Sequence, residues 1–534
     1  MKISHLITIG SLVLTTACEP RDTVSGAPAK PWENALKEIR AQQQTAKQQA
    51  PKPSPVTKPA SPINSMVGIN ATNQGYAMLS PWNKNELQYS YGFGIYIGDG
   101  TFLTTANIVY SNSFLELTLA NGSQTVSGVV TAFDPEANLA LIRLKNEQKD
   151  ADFLKDLVPV KIGDAPKLGD EVKLWQFNDD GLPIITDGRL LATESGCPFT
   201  MCEPFVLYNV KSSVTALRGG GSNPIMVGDT LIGISTSIQP TNQKVLSLTT
   251  PLIKTFLKQA QAGKYVGFPT DGAEVTPLTD PVFRKYLGLP ETGGGLYVAN
   301  LPETSSFYQA GVRKGDVIEA INDQVIDSRG LIKDANLGPV SANFLFRDTA
   351  VPGETITLKI KRKNAQGISE AHTIKAKLNR DSVDKDIINQ NPFISEPTYR
   401  IYGGLVFMPI TQAFLNDLGA MAKSNLPNTI RRTLNDKEKL KKEGVTEPVV
   451  LLTALPTPAT LGYTQMTLSV VKKINGVNIR NLAHLNELLD KPGTEDIQTI
   501  EITEAPYTLY MSKKAAAQAD FFIQMRAIPK LRRD

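Results

Sequence analysis

Histidine and cysteine are scarce in this 534-residue chain, which contains three of each. The histidines are His5, His372 and His484, so residues 6–371 contain none. Histidine is the usual base that takes the proton from a serine nucleophile at neutral pH. Whatever fold residues 6–371 adopt, that part of the chain is therefore predicted to lack a histidine-dependent catalytic site.

A large excess of charge of either sign is also absent. The chain has 56 Lys and Arg against 52 Asp and Glu, a formal net charge of +4, which argues against a dedicated nucleic-acid-binding protein. Its 40 glycines and 35 prolines are too few for a low-complexity chain but suffice for the many turns of β-rich domains. At about 100–200 residues per domain, three or four folded units are expected.

Long hydrophobic runs are missing too, since no stretch reaches the roughly 18 apolar residues of a transmembrane helix. The N-terminus has a shorter run, Leu6 to Leu14, followed by T-T-A-C. This pattern resembles a bacterial lipoprotein signal, so we interpret residues 1–18 as a signal peptide whose Cys18 carries lipid. Ordinary cleavage after Ala17, leaving an unmodified Cys18, is the alternative.

The residues after Cys18 predict the location of the chain. Glu19 rather than Asp comes next, which favours anchoring at the outer membrane with the folded part in the periplasm. Residues 19–65 are rich in Pro and Gln and are predicted to form a disordered tether. In that oxidising compartment Cys197 and Cys202 are expected to form a disulfide. No histidine lies nearby to complete a metal site, and we expect neither a metal nor a cofactor.

Two kinds of folding pattern follow the tether. Residues 66–260 consist of short strand patterns and turns, with one helical pattern, T-P-L-I-K-T-F-L-K-Q-A-Q-A-G, at their end, which predicts a β-barrel or sandwich. Residues 261–380 and 398–534 mix strand and helix patterns and contain similar segments, G-D-V-I-E-A-I-N-D-Q-V-I and L-S-V-V-K-K-I-N-G-V-N-I. They are predicted to be two copies of one fold, separated by a linker over residues 381–397.

These segments resemble the Deg/HtrA family of trypsin-like serine proteases, in the branch with two PDZ domains. The resemblance is carried by P-W-N-K-N-E-L-Q-Y-S-Y-G-F-G, by G-K-Y-V-G-F and by Y-G-G-L-V-F-M-P-I-T. It implies a mainly β fold with α+β units. The expected parts are a trypsin-like double β-barrel over residues 66–260, a first PDZ unit over 261–380 and a second PDZ unit over 398–534.

The same resemblance places the catalytic triad at Asn107, Asn138 and Gly221. The family's T-N-x-H-V-V, D-L-A-L and G-N-S-G-G-P read T-T-A-N-I-V, N-L-A-L and G-G-G-S-N-P here. Carboxamides do not titrate near neutral pH and glycine offers no nucleophile, so we predict a pseudoprotease. The alternative is a serine endopeptidase with an atypical site that uses Ser222, one residue beyond Gly221.

The resemblance also implies peptide binding. PDZ domains add an extended peptide to a sheet edge and hold its terminal carboxylate on backbone amides of a glycine-containing loop. The corresponding loops are predicted at Tyr265, Val266, Gly267 and Phe268 in the first PDZ unit, and at Tyr402, Gly403, Gly404 and Leu405 in the second. In the branch that the chain resembles, the second PDZ domain is often regarded as an assembly module, which is the alternative for the second loop.

The expected partners are unfolded or C-terminal peptide segments of envelope proteins, or an active Deg protease that the chain scaffolds or regulates. A purely structural envelope lipoprotein is the remaining alternative, and no nucleic acid is expected to bind. Barrels of this family usually form trimers through their N-terminal segments, and Tyr76, Trp82 and Tyr91 lie in the matching segment. Because exposed aromatic clusters are costly in water, we expect a homo-oligomer that is a trimer or a multiple of one.

Overall fold

The computed structural model describes residues 59–534, except 179–180, 201–202, 216–220, 264, 394–395, 420–425, 492–495 and 527. Cys18 and Cys202 lie outside the described residues, so the lipid anchor and the disulfide stay predictions. Within the described ranges, no helix combines the length and apolar character needed to cross a bilayer.

The first β-barrel follows a one-turn helix, α1 (Pro62–Ser65). Its strand order is β1-β2-β3-β6-β5-β4, closed by pairing of β4 with β1. A second one-turn helix, α2 (Ala106–Val109), follows β3. The six strands are β1 (Met66–Asn73), β2 (Gln88–Gly98), β3 (Thr101–Thr104), β4 (Asn112–Leu119), β5 (Thr125–Asp134) and β6 (Leu139–Leu144).

The second β-barrel has the order β11-β8-β9-β10-β13-β12, and β11 also pairs with β12 to close it. The short strand β7 is added beside β12. Its strands are β7 (Lys161–Ile162), β8 (Glu171–Phe177), β9 (Pro183–Gly196), β10 (Phe205–Ser212), β11 (Pro224–Val227), β12 (Thr230–Gln239) and β13 (Lys244–Thr249). The prediction of a double β-barrel is confirmed.

Helix α3 (Thr250–Gln261) covers the second barrel where the sequence predicts a helix. The hydroxyl of Thr249 accepts a hydrogen bond from the backbone N–H of Leu252, which caps the helix start. Leu252, Ile253 and Phe256 are fully buried in the core shared with the barrel. Their spacing gives the helix one apolar face, and burial of that face holds it on the barrel.

The first PDZ unit has the strand order β14-β15-β16-β20-β21, with β17 paired to β16 and a separate hairpin of β18 and β19. The strands are β14 (Glu274–Pro277), β15 (Leu296–Asn300), β16 (Val317–Ile321), β17 (Gln324–Val325), β18 (Leu331–Asp334), β19 (Gly338–Ser341), β20 (Thr355–Lys363) and β21 (Ser369–Lys377). The helices here and in the linker are α4 (Pro281–Tyr286), α5 (Ser306–Ala310), α6 (Phe344–Arg347) and α7 (Asp381–Asp384).

The second PDZ unit has the strand order β28-β27-β25-β24-β23-β22-β29, with β26 paired to β25. The strands are β22 (Tyr399–Tyr402), β23 (Leu405–Pro409), β24 (Val449–Ala454), β25 (Thr467–Ile474), β26 (Val477–Asn478), β27 (Ile497–Ile502), β28 (Thr508–Ser512) and β29 (Arg532–Arg533). The helices are α8 (Gln412–Asp417), α9 (Asn428–Asn435), α10 (Lys437–Lys442), α11 (Leu482–Asp490) and α12 (Lys513–Arg526).

The two PDZ units share one antiparallel strand order. The succession β14, β15, β16, β20 and β21 corresponds to β23, β24, β25, β27 and β28. Alternation of side chains builds these sheets, as in β20, where Ile356, Leu358 and Ile360 are buried and polar residues stand between them. The similar segments in the sequence therefore occupy equivalent places in the fold.

The segment that connects β1 to β2, residues 74–87, packs against the second PDZ unit. The rings of Trp82 and Tyr399 meet edge to face with centroids 6.2 Å apart, and the N–H of Met78 donates to Oδ2 of Asp417 at 2.7 Å. Tyr76 joins the same apolar cluster. The expectation that these aromatics form an exposed assembly surface is therefore wrong for Tyr76 and Trp82, because the chain's own second PDZ unit covers them.

Candidate functional site

The three predicted triad positions converge at the interface of the two barrels. Asn107 lies in α2, and its backbone N–H donates to Oδ1 of Asn138 at 2.9 Å. A Cβ built on Gly221 would lie 3.7 Å from Nδ2 of Asn107 and 3.9 Å from Oγ1 of Thr105. The three positions therefore do lie together, and we call this group the triad cleft; Gly219 and Gly220 lie outside the described residues.

The polar side chains in the triad cleft are the neutral amides of Asn107 and Asn138 and the hydroxyl of Thr105. Oδ1 of Asn107 and Oγ1 of Thr105 are buried without a hydrogen-bond partner in the described part of the chain. Asn138 is buried, and its backbone adopts the left-handed conformation with φ 55. Its Nδ2 donates to the carbonyl oxygen of Pro198 at 3.4 Å. A carboxamide can orient a neighbour by hydrogen bonding, but it cannot accept a proton as a general base.

Ser222, the nucleophile in the alternative interpretation, points into the barrel. Its side chain is fully buried, and its Oγ accepts a hydrogen bond from the N–H of Phe93 at 2.8 Å. Its own N–H donates to the carbonyl oxygen of Ser235. This hydroxyl completes backbone hydrogen bonding between the two barrels, a structural role that leaves it shielded from a substrate.

An ion cluster joins the first barrel to the first PDZ unit. Glu136, two residues before Asn138, forms salt bridges with Arg347 and Arg380, the latter at 2.8 Å between Oε1 and Nη2. Burial pushes the pKa of Glu136 upward, but the charges of Arg347 and Arg380 outweigh it, and the net pKa is lowered. We call these three residues the interdomain ion cluster.

Arg347 is the centre of this cluster. Its side chain is 1% exposed, and its guanidinium lies 4.2 Å from the centroid of the Phe205 ring. Its remaining donors go to the backbone carbonyl oxygens of Glu203, Phe268 and Pro269. Sequence patterns do not single out this residue, which stands beside Asp348 at the end of the apolar run F-L-F.

Two further carboxyl groups lie beside the interdomain ion cluster. Burial and the negative charge of Asp271 raise the pKa of Glu203 to about 8. Burial raises the pKa of Asp271 to about 6. Each accepts a backbone hydrogen bond, Glu203 from Gly272 and Asp271 from Ala273, which holds both carboxyl groups at the junction of the barrel with the PDZ unit.

Stability is expected to fall with rising pH because of Glu203. Its folded pKa of about 8 lies above the ordinary value of 4.5, so between those values the folded state holds a proton that the unfolded state releases. Each such proton lowers the free energy of unfolding by up to about 1.4 kcal/mol for every unit of rising pH. Thermal melting from pH 5 to 8 should show a shallower decline in Glu203→Gln than in the wild type. Glu171→Gln, at a side chain 83% exposed, is the matched control, and parallel profiles for Glu203→Gln and wild type would refute the assignment.

The first predicted peptide loop is partly buried at the domain junction. Phe268 is fully buried in the barrel core, edge to face with Phe205 at 5.1 Å. Its carbonyl oxygen accepts from Arg380, and the Tyr265 hydroxyl donates to Asp134. The Phe268 side chain therefore anchors the unit to the barrel, and peptide binding by the backbone amides of this loop stays a prediction.

The remaining residues of that loop line a large cleft. Tyr265, Val266 and Gly267 border a cavity of about 1030 Å³ between the first barrel, the linker and the second PDZ unit. We call it the junction cleft. Gly267 has φ +85, and a Cβ there would meet the guanidinium of Arg380 at 2.8 Å. Glycine is needed at this position both for its backbone conformation and for the close approach of the arginine.

A groove in the first PDZ unit lies beside β14, which ends the strand order of its sheet. This PDZ groove has a volume of about 410 Å³ and runs between β14 and the β18–β19 hairpin. Its apolar lining includes Val275, Leu296, Leu331 and Phe346, and Glu203 stands at its border with the barrel. An edge strand beside an apolar groove can receive an extended peptide by strand addition.

The second predicted loop is occupied by the chain itself. Tyr402 pairs with Leu405 across a two-residue hairpin turn, in which Gly403 and Gly404 have φ 62 and φ 101. The N–H of Gly403 donates to Oδ1 of Asp520 at 2.7 Å. Strand β22 covers the edge of β23 that corresponds to the edge of β14 used by the PDZ groove. Peptide capture at this loop is therefore contradicted, because strand β22 and Asp520 already fill the edge and the amide.

The comparisons with known proteins match this architecture. A family model described as PDZ domain matches residues 388–532. Protease Do-like 4, mitochondrial, of Arabidopsis thaliana is 24% identical over 472 residues, covering 88% of this chain and 84% of that protein. Protease Do-like 2, chloroplastic, of the same plant is 24% identical over 510 residues, covering 93% of this chain and 78% of that protein. The chain is thus similar to Deg/HtrA proteases over most of its length. Among solved structures, the HtrA-type protease AlgW with decapeptide has a TM-score of 0.43 and 19% identity, covering 59% of this chain and 95% of that chain.

The match to the PDZ model begins earlier than the predicted boundary at residue 398. It starts at residue 388, and Ile388 is buried in the same core as Tyr399. The end of the predicted linker is therefore part of the second PDZ unit, because its apolar residues complete that unit's core.

Proposed function

We propose that this chain is a catalytically inactive Deg/HtrA-like protein that binds extended peptide segments of envelope proteins, or scaffolds or regulates an active Deg protease. The observation that carries the proposal is the triad cleft. Asn107, Asn138 and Gly221 come together there without a group that could act as a base, while Ser222 is buried between the two barrels. The proposal places the protein in the periplasm, held by lipid on Cys18, as a trimer or a multiple of one.

The PDZ groove supports peptide binding as the retained activity. It combines an edge strand, β14, with an apolar lining, and it does not share residues with the triad cleft. Peptide binding by strand addition uses backbone hydrogen bonds and side-chain pockets, neither of which depends on a catalytic triad. Loss of the triad therefore leaves this groove able to work.

Binding of fluorescein-labelled casein, an unfolded polypeptide, tests the proposal by anisotropy. Val275→Arg puts a long charged side chain into the PDZ groove and is expected to weaken binding at least about tenfold, which corresponds to about 1.4 kcal/mol. Val325→Arg is the matched control in the same unit, since that valine is 73% exposed on β17. Equal casein affinity for the two variants, or no casein binding by the wild type, would contradict the proposal.

A further inference from the structure

Three aromatic side chains of the first half of the chain form a pocket beside the triad cleft. They are Tyr110 at the end of α2, Phe133 in β5 and Phe199 in the connection between β9 and β10. Phe393 of the linker lies among them. Its ring stacks on Phe199 at 5.3 Å with an interplanar angle of 18°, and lies 5.0 Å from Tyr110 and 6.0 Å from Phe133 between centroids. We call Tyr110, Phe133 and Phe199 the aromatic pocket.

The aromatic pocket is continuous with the triad cleft. Tyr110 is the C-cap residue of the helix that carries Asn107. Pro198, directly before Phe199, accepts the hydrogen bond from Nδ2 of Asn138. Two walls of the pocket are therefore held by the same segments that position Asn107 and Asn138.

Phe393 reaches the pocket from a segment anchored in the second PDZ unit. The preceding linker residues Ile387 and Ile388 are buried in the core of the second PDZ unit, and the N–H of Gln412 donates to the carbonyl oxygen of Asn389. Beyond that anchor the chain turns, with the N–H of Phe393 donating to Oδ1 of Asn391. The occupant and the pocket walls thus come from different parts of the chain, since Phe393 follows residues anchored in the second PDZ unit and the walls belong to the two barrels.

The occupied pocket leaves open space beside it. Phe133 and Phe393 both border the junction cleft of about 1030 Å³, and all four aromatic rings are only half-buried. The aromatic contacts end where the cleft begins, so a longer segment with an aromatic side chain in the pocket has room to continue. Aromatic faces favour offset or edge-to-face ring contacts, which suits Phe, Tyr or Trp better than an aliphatic side chain.

We propose that the aromatic pocket is a binding site for one aromatic side chain of an extended polypeptide, and that Phe393 occupies it as a competitor within the same chain. The ligand's aromatic ring replaces Phe393, and its neighbouring residues enter the junction cleft. This proposal rests on the proposed function, because it takes from there that the ligand is a peptide. The aromatic pocket is a different site from the PDZ groove. Because the open pocket is only a fraction of the population, the apparent affinity is reduced by that fraction.

Binding of a defined peptide tests the competition in the full chain. The probe is a fluorescein-labelled ten-residue peptide of Gly and Ser with a single central Phe, compared with the same peptide carrying Ala. Phe393→Ala is expected to tighten binding of the Phe peptide at least about fivefold over wild type by opening the pocket. The gain should vanish in Phe393→Ala/Phe199→Ala. Phe521→Ala, at a ring 59% exposed on α12, is the matched control and should bind as wild type does.

Equal affinity of wild type and Phe393→Ala for the Phe peptide would overturn the proposal, as would a gain that survives Phe199→Ala. If Phe393→Ala unfolds, hydrogen exchange on the wild type decides. Saturating Phe peptide should speed exchange over residues 386–393, and unchanged exchange overturns the proposal. Val275→Arg separates this inference from the proposed function, because the gain caused by Phe393→Ala should persist in that background. If Val275→Arg abolishes casein binding and Phe393→Ala has no effect on the Phe peptide, the proposed role of the PDZ groove stands and that of the aromatic pocket is rejected.

Discussion

Incubated with casein, the purified protein is expected to leave it uncut and to remain unlabelled by a fluorophosphonate probe. Serine-type hydrolysis needs a nucleophile, a base and an orienting acid that act as one unit. Loss of the nucleophile or the base costs roughly 10⁶ in turnover, about as much as loss of all three. Gly221 supplies no nucleophile, and Asn107 cannot take a proton. Binding and oxyanion donors alone give about 10³–10⁴ over water, which is too slow to detect as casein cleavage.

Restoring a hydroxyl at the nucleophile position alone gives a second test of this expectation. Gly221→Ser fits without a clash, because a Cβ at that position lies in ordinary contact with Asn107 at 3.7 Å. The new hydroxyl would face a carboxamide that cannot activate it, so this variant should also stay unlabelled. An active HtrA protease assayed in parallel is the positive control. Casein cleavage by the wild type that disappears in Ser222→Ala would overturn the proposal and establish an atypical protease.

Short sequence motifs predicted the triad cleft well, because the backbone around a catalytic position is set locally. Asn107 stands in a one-turn helix directly after β3, and Asn138 stands in the turn directly before β6. Those local conformations bring the two residues into hydrogen-bonding distance once the barrel closes. The motif pattern therefore predicted correctly that Asn107, Asn138 and Gly221 lie close together.

Contacts between domains escaped the sequence analysis for a physical reason. Glu136 and Arg347 are 211 positions apart, and neither carries a pattern that names its partner. Likewise, the glycines of the second loop match the family motif, yet β22 and Asp520 fill the place of a ligand. A motif specifies local backbone conformation, whereas occupancy of a groove depends on which distant segment packs there.

Replacing Arg347 by Met is expected to lower the free energy of unfolding by about 3–5 kcal/mol, the cost of breaking one partner of a buried ion pair. The side chain is 1% exposed and bonds Glu136, so its loss leaves the buried carboxylate with Arg380 alone. The carbonyl oxygens of Phe268 and Pro269 lose donors as well. Met keeps most of the apolar packing volume, so the measured loss reports charge and hydrogen bonds rather than a cavity.

Chemical denaturation followed by circular dichroism measures this effect. Arg329→Met is the matched control in the same unit, since its side chain is 65% exposed and its ion pair with Asp327 lies at the surface. Exposed pairs contribute about 0–1 kcal/mol, so the control should unfold nearly as the wild type does. An Arg347→Met loss no larger than that of Arg329→Met would contradict the assignment of the interdomain ion cluster as a buried structural pair.

The double variant Glu136→Gln/Arg347→Met separates the salt bridge from the other contacts of Arg347. If the loss in Arg347→Met comes from an uncompensated carboxylate, neutralising Glu136 should restore a large part of it, giving a coupling energy of about 0.5–3 kcal/mol. If the carbonyl contacts dominate, the two losses should add. Because Glu136 lies two residues from Asn138, the cluster also fixes the loop that builds the triad cleft. Coupling between Glu136 and Arg347 would therefore mean that the first PDZ unit, through Arg347, helps to hold the loop on which Asn138 stands.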